Sequence, residues 1–229
     1  GVLRMNEKVL IIGAGHGLST SIARLFAAKG MKVGLAARNI EKLAALADEI
    51  GASTFTCDAS DPDAVVELFK AFGTDIGCPD ILVYNPSSRV RGPITEIDAT
   101  ATKDAILVSA YGAFLAAQQA AIRMLKAGSG TMLFTGASAG VKGYPRSASF
   151  AMGKFALRGL CQSLARELSP QNIHVAHFVI DGHIHNKQRD EPQSDPATSL
   201  DPDDIAKSYL HIARQNPSAW TWEIELRPS

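Results

Sequence analysis

Short aliphatic runs alternate with helical patterns along the whole chain, and this alternation restricts the fold more than any other feature. Seven runs have strand character: KVLII (8–12), MKVGLA (31–36), STFTC (53–57), DILVY (80–84), TMLFT (131–135), IHVAHFVI (173–180) and TWEIEL (221–226). Helical spacing fills the intervals. Leu18, Ile22, Leu25 and Phe26 recur on one face before Lys29 and Gly30 close that helix. NIEKLAALADEI follows the second strand, and Leu157, Leu160, Cys161, Leu164 and Leu168 mark the clearest helix. Apolar strands separated by helices predict an α/β fold: one doubly wound parallel sheet of about seven strands with helices on both faces. We find no repeat and no second unit, so residues 1–229 are expected to form a single domain.

Composition narrows the setting. Apolar residues make up 46%, enough for a sizeable core, and 23 basic residues balance 23 acidic ones. That balance argues against nucleic-acid and anionic-membrane partners. Cys57, Cys78 and Cys161 are an odd number without metal spacing, which reads as reduced thiols in a cytoplasmic protein with no metal site. The opening GVLRMN has no apolar signal core, and its initial Gly with Met5 inside reads as an expression remnant. The longest uncharged run, 105–122, includes Ser109, Gly112, Gln118 and Gln119. It is mostly alanine, whereas a membrane span needs about 20 strongly apolar residues. A helix buried on several sides, at a subunit interface, is the expectation. The polar, proline-rich stretch 186–204 is expected to be a flap over a site, with a plain solvated connection as the alternative.

LIIGAGHGLSTSIARLF places Gly13, Gly15 and Gly17 between the first strand and the first helix. Such a turn lets a pyrophosphate approach backbone N–H groups at the helix N-terminus, with His16 and Leu18 in the same loop. Cofactor choice in sheets of this kind is made at the end of the second strand. An acid there bonds the ribose hydroxyls and a base pairs with a 2′-phosphate. Here Ala37 takes the place of the acid and Arg38 follows, a fork suited to phosphate. NADP is therefore the expected cofactor. A solvated helix-start charge is the plainer alternative for Arg38.

With these motifs the chain resembles a short-chain dehydrogenase/reductase over nearly its whole length, which implies a Rossmann-type fold. The family's Thr-Gly-x-x-x-Gly-x-Gly falls on Ile12, Gly13, Gly17 and Ser19, so the first two glycines carry over. Asp58 in CDAS matches the aspartate that contacts adenine. Asn85 in VYNPS matches the Asn-Asn-Ala-Gly stretch, from which Tyr84, Pro86 and Ser87 depart. The Pro-Gly-x-x-x-Thr loop becomes Asp181 to Asn186, with Gly182, Ile184 and Asn186 implied to border the nicotinamide.

The resemblance weakens at the catalytic positions. The family's helix asparagine falls on Ser109, its serine on Ala137, its tyrosine on Phe150 and its lysine on Lys154. Only the lysine is retained. Phe150 and Lys154 lie at i and i+4, on one helical face, but phenylalanine has no proton to give. Ser138 is one residue off and is expected to point elsewhere. Tyr144, His183 and His185 are candidate replacement donors, each with a local structural role as the alternative. Three readings stay open: an NADP-dependent oxidoreductase of unknown small-molecule substrate, a cofactor-binding sensor or regulatory subunit without turnover, and a structural partner. The resemblance also implies a homodimer or homotetramer, paired through the 105–122 helix and the helix after Phe150.

Overall fold

The computed structural model describes residues 6–186, 195 and 197–229. Strands β1 (Lys8–Ile12), β2 (Lys32–Ala37), β3 (Ser53–Thr56), β4 (Ile81–Tyr84), β5 (Gly130–Thr135) and β6 (Ile173–Ile180) alternate with helices. Two short strands follow, β7 (His183–Ile184) and β8 (Ser199–Leu200), then β9 (Glu223–Leu226). The main sheet has the order β3-β2-β1-β4-β5-β6-β9, and all six neighbouring pairs are parallel. These are the seven strands expected from sequence. The last is shorter than TWEIEL suggested, because the Thr221 N–H donates to the Gln215 side chain and its carbonyl bonds the His174 ring instead of a ladder partner.

Parallel strands buried on both faces sort their residues with period two. Leu10, Ile12, Leu82, Tyr84, Met132 and Phe134 face one core layer. It is completed by helices α3 (Pro62–Asp75), α5 (Gly112–Ala127) and α6 (Ala148–Leu168). Val9, Ile11, Ile81, Val83 and Leu133 face the other layer, with α1 (Leu18–Ala28), α2 (Ala44–Ile50) and α7 (Pro202–Ala213). The helix expected over 39–50 starts late: the Asn39 side chain accepts from Glu41 N–H, turning the chain through a 3₁₀ segment before α2 begins at Ala44.

The uncharged run lies within a continuous helix, Ala99–Ala127, composed of α4 (Ala99–Ile106), a π turn (Leu107–Tyr111) and α5. By length and composition alone this helix is long and apolar enough to cross a membrane. It packs instead as a core helix, burying Ala113, Ala116, Ala117, Ala120 and Met124. Of the expected flap, residues 187–194 and 196 lie outside the described residues. Its C-terminal part is built into the fold, since Ser199–Leu200 pairs with His183–Ile184 and Asp201 caps α7. The sheet order reverses between β1 and β4, so the crevice beyond their C-terminal ends is the topological switch point where such sheets hold ligands.

Candidate functional site

The turn after β1 is built for a close approach. Gly13 has φ 79°, and a Cβ there would lie 2.6 Å from the Pro86 ring and backbone nitrogen. Gly17, at φ 96°, precedes α1. That helix has no side-chain cap and no acid in its first turn, so its leading N–H groups and its positive dipole end are left for an anion. Leu18 is buried beneath the turn and His16 is exposed above it. Gly15 lies beside a cation that sequence reasoning missed: a Cβ there would sit 3.6 Å from Lys42 Nζ. Arg38 is exposed past the end of β2 and makes no hydrogen bond or ion pair within the described residues. Asp58 is exposed at the end of β3, where hydrogen bonds from Ser60 and the charge of Arg38 hold its carboxyl below the usual range.

A one-way hydrogen-bond chain joins the strand ends. The Tyr209 hydroxyl donates to Thr135 Oγ1, which donates to Asn85 Oδ1. Asn85 Nδ2 donates to Ser19 Oγ at 2.8 Å, and Ser19 donates to the Gly13 carbonyl at 3.2 Å. Ser19, at the position of the last signature glycine, thus ties the glycine turn to β4 and β5. The Asn85 amide thus gives one bond and accepts one among the described residues, which fixes its orientation at the end of β4.

Beyond β4, β5 and β6 opens a cavity of about 700 Å³ whose lining includes Asn85, Ala137, Tyr144, Phe150, Lys154 and Ile184. The sequence-predicted residues at the catalytic positions therefore meet, with Ser109 excepted. Ser109 is buried in the π turn behind α6, its hydroxyl without a protein partner among the described residues, and Gly153 lets α6 pack directly on it. Ser138, expected to point elsewhere, borders the cavity next to Ala137. Gly182, at φ 151°, and His183 border it as well, whereas His185 and Asn186 do not line it. Ile184 is fixed by its pairing with Leu200.

Lys154 is buried, and its ammonium donates to the Thr135 carbonyl at 3.0 Å. Burial, with the positive Arg89 nearby, brings its pKa down to about 8. Its Nζ lies 5.7 Å from the centre of the Phe150 ring, and Arg89 Cζ lies 4.1 Å from the same centre. Arg89 and its neighbour Arg91 both line the cavity and were missed in the sequence. Their one signal was the alternating basic pair in SSRVRG, shortly after Asn85. Among the described residues there is no cluster of three or more His, Cys, Asp or Glu able to hold a metal.

The sequence pattern described as short chain dehydrogenase matches residues 7–187. A short-chain dehydrogenase from Rhodopseudomonas palustris superposes with a TM-score of 0.84 at 35% identity, over 98% of this chain and 99% of that one. A metagenomic short-chain oxidoreductase, solved in complex with NADP, superposes with a TM-score of 0.87 at 26% identity over 100% of both chains. Carbonyl reductase family member 4 of Xenopus tropicalis is 25% identical over 216 residues, 91% of each protein.

Proposed function

The chain belongs to the short-chain dehydrogenase family, and on that premise we propose that it is an NADP(H)-dependent oxidoreductase working without the usual tyrosine and serine. Members of the family use a nicotinamide cofactor. The observation that carries the choice of NADP is the base at the end of β2: Arg38 follows Ala37, which stands where an acid would bond the ribose hydroxyls, and Lys42 lies against Gly15. The NADP held by the metagenomic relative agrees with it. Gly13, Gly15, Gly17 and the start of α1 would hold the pyrophosphate. Arg38, with Lys42 and His16, would hold the 2′-phosphate, Asp58 the adenine, and Lys154, Gly182 and Ile184 the nicotinamide end.

When bound, the cofactor supplies or accepts hydride. The protein's own part is to orient the acceptor against an apolar wall made by Phe150 and Ala137, with Lys154 donating a hydrogen bond beneath. No hydroxyl stands at either substituted position. An activated alkene or imine, which draws its proton from water, suits this site better than a simple ketone. Tyr144, on the cavity wall, is the alternative donor. The same two substitutions favour the second reading, a cofactor-binding sensor or regulatory subunit without turnover. We further read the chain as a single cofactor-binding unit working in the cytoplasm.

Two measurements test this. NADPH should bind about 10- to 150-fold more tightly than NADH, the range expected of one charge-assisted phosphate contact, and Arg38→Ala should erase the preference. Equal affinities would remove the NADP assignment. On a ketone and aldehyde panel, wild type should turn over weakly, and Ala137→Ser with Phe150→Tyr should raise the rate by roughly 10²-fold or more. Brisk wild-type turnover on ordinary ketones would show that another group, such as Tyr144, donates the proton.

A further inference from the structure

The cavity carries more positive charge than the proposed function uses. Among the described residues, Arg89, Arg91 and Lys154 line it, against one carboxylate, Asp181, which already pairs with Arg227 at 3.4 Å. Arg89 makes no hydrogen bond or ion pair among the described residues; its contact is the face of Phe150. Stacking uses the flat face of a guanidinium and leaves its N–H edge free for a planar acceptor. We propose that Arg89, supported by Arg91, anchors a carboxylate of the substrate over Phe150, so that the natural substrate is a carboxylic acid whose reducible group lies beside that anion.

Three observations support this. The segment is fixed rather than trailing in solvent: Ser149 Oγ accepts from the Val90 N–H at 3.1 Å and donates to the Val90 carbonyl at 3.3 Å. Gly92 N–H also donates to the Arg146 carbonyl. Ser149 precedes Phe150 on α6, so one clamp registers the arginine to the ring on which it stacks. Next, Arg89 is held at a cost. Partial burial and the charge of Arg91 both work against its protonated form, and an anion beside the two guanidinium groups cancels the repulsion and favours the charged form. Finally, the glycine turn, Arg38 and Lys42 do not line this cavity, so the cofactor's phosphates have their own cations elsewhere. An anion at Arg89 therefore belongs to the substrate.

The inference rests on the cofactor reading for the placement of the reacting group, and its test separates the two. Calorimetric titration of 4-acetylbenzoate and 4-acetylbenzamide into both NADPH-loaded and cofactor-free protein compares one scaffold with and without the charge. The carboxylate should bind at least about 10-fold more tightly than the amide, with the difference shrinking as salt is added. Arg89→Gln should abolish that preference, Arg89→Lys should keep part of it, and Arg91→Gln should reduce it. NADPH affinity should hold in all three variants, which also reports that they fold. Equal binding of the two probes, no measurable binding of the carboxylate, or a preference that survives Arg89→Gln would overturn the proposal. So would a loss of NADPH affinity in Arg89→Gln matching the loss of carboxylate, since that assigns Arg89 to the cofactor. If NADPH fails to bind wild type while the Arg89-dependent carboxylate preference persists, the cofactor reading falls and the anion site stands.

Discussion

Lys154 keeps a buried ammonium whose one acceptor among the described residues is a backbone carbonyl, and its energetics follow from that. Its pKa falls from 10.5 to about 8 on folding, so the unfolded chain holds the proton more tightly than the native one. Below pH 8 both states are protonated and the native state bears the full cost. Between about 8 and 10.5 the native amine is neutral while the unfolded one is charged, and stability rises with pH. Lys154→Met removes this titration. Urea denaturation should therefore show wild type gaining on Lys154→Met by up to about 3 kcal/mol between pH 7 and pH 10.5. A difference that does not change with pH would mean that the ammonium is well solvated. The spacing of Phe150 and Lys154, the glycine turn and Arg38 were all legible in sequence, because each depends on one element and its immediate flank. Arg89, Lys42 and the bonding role of Ser19 were not. Arg89 acquires meaning from Ser149, 60 positions away, Lys42 from a turn on another strand, and Ser19 from the amide of Asn85.

Among the elements, the π turn Leu107–Tyr111 shows best how the sheet imposes itself on a helix. The uncharged, alanine-rich run led to the expectation of a helix there, and nothing in LVSAY marks a change of winding. The cause is across the core: Tyr84, at the end of β4, donates its hydroxyl to the Val108 carbonyl at 2.6 Å. Gly112 leaves room for that hydroxyl, since a Cβ there would strike it and would also lie 2.6 Å from the Ala59 carbonyl. Tyr84→Phe removes this hydrogen bond and leaves the buried end of β4 otherwise unchanged, and should cost about 0.5–1.5 kcal/mol in chemical denaturation. Gly112→Ala should cost about 1–3 kcal/mol or more by overpacking, because one of its two obstacles is backbone. Full stability in both variants would show that the winding is set within the helix itself. The five inner strands, β1, β2, β4, β5 and β6, were readable because each is apolar and largely buried, and the half-buried edge strands β3 and β9 by their β-branched, aromatic or alternating residues. The β7–β8 ladder was not, since two-residue strands carry no period and only their parallel pairing defines them.

At the scale of the whole molecule, one side of the sheet carries more apolar surface than its own core covers. On the helix whose inner face packs on β4 and β5, Tyr111, Phe114, Ile122 and Leu125 recur along the outer face, with exposures of 39%, 41%, 57% and 40%. On α6, Met152 and Phe155 are 48% and 44% exposed, beside the small residues Ala156 and Gly159. Single exposed apolar residues need no explanation, but four on one helix and two on α6 together do. Small residues beside large ones allow the helices of a second copy to approach closely, and a two-fold arrangement covers this surface with its own counterpart. We therefore expect a homodimer or homotetramer in solution, paired through these two helices. The pairing would also brace the π turn and the first turns of α6, which carry Ser109, Phe150 and Lys154. Light scattering at micromolar concentration should give a mass of at least two chains. Phe114→Glu with Phe155→Glu should shift it toward one chain while circular dichroism stays native. A monomeric wild type would remove this expectation, and a double variant that remains oligomeric would move the interface to another face.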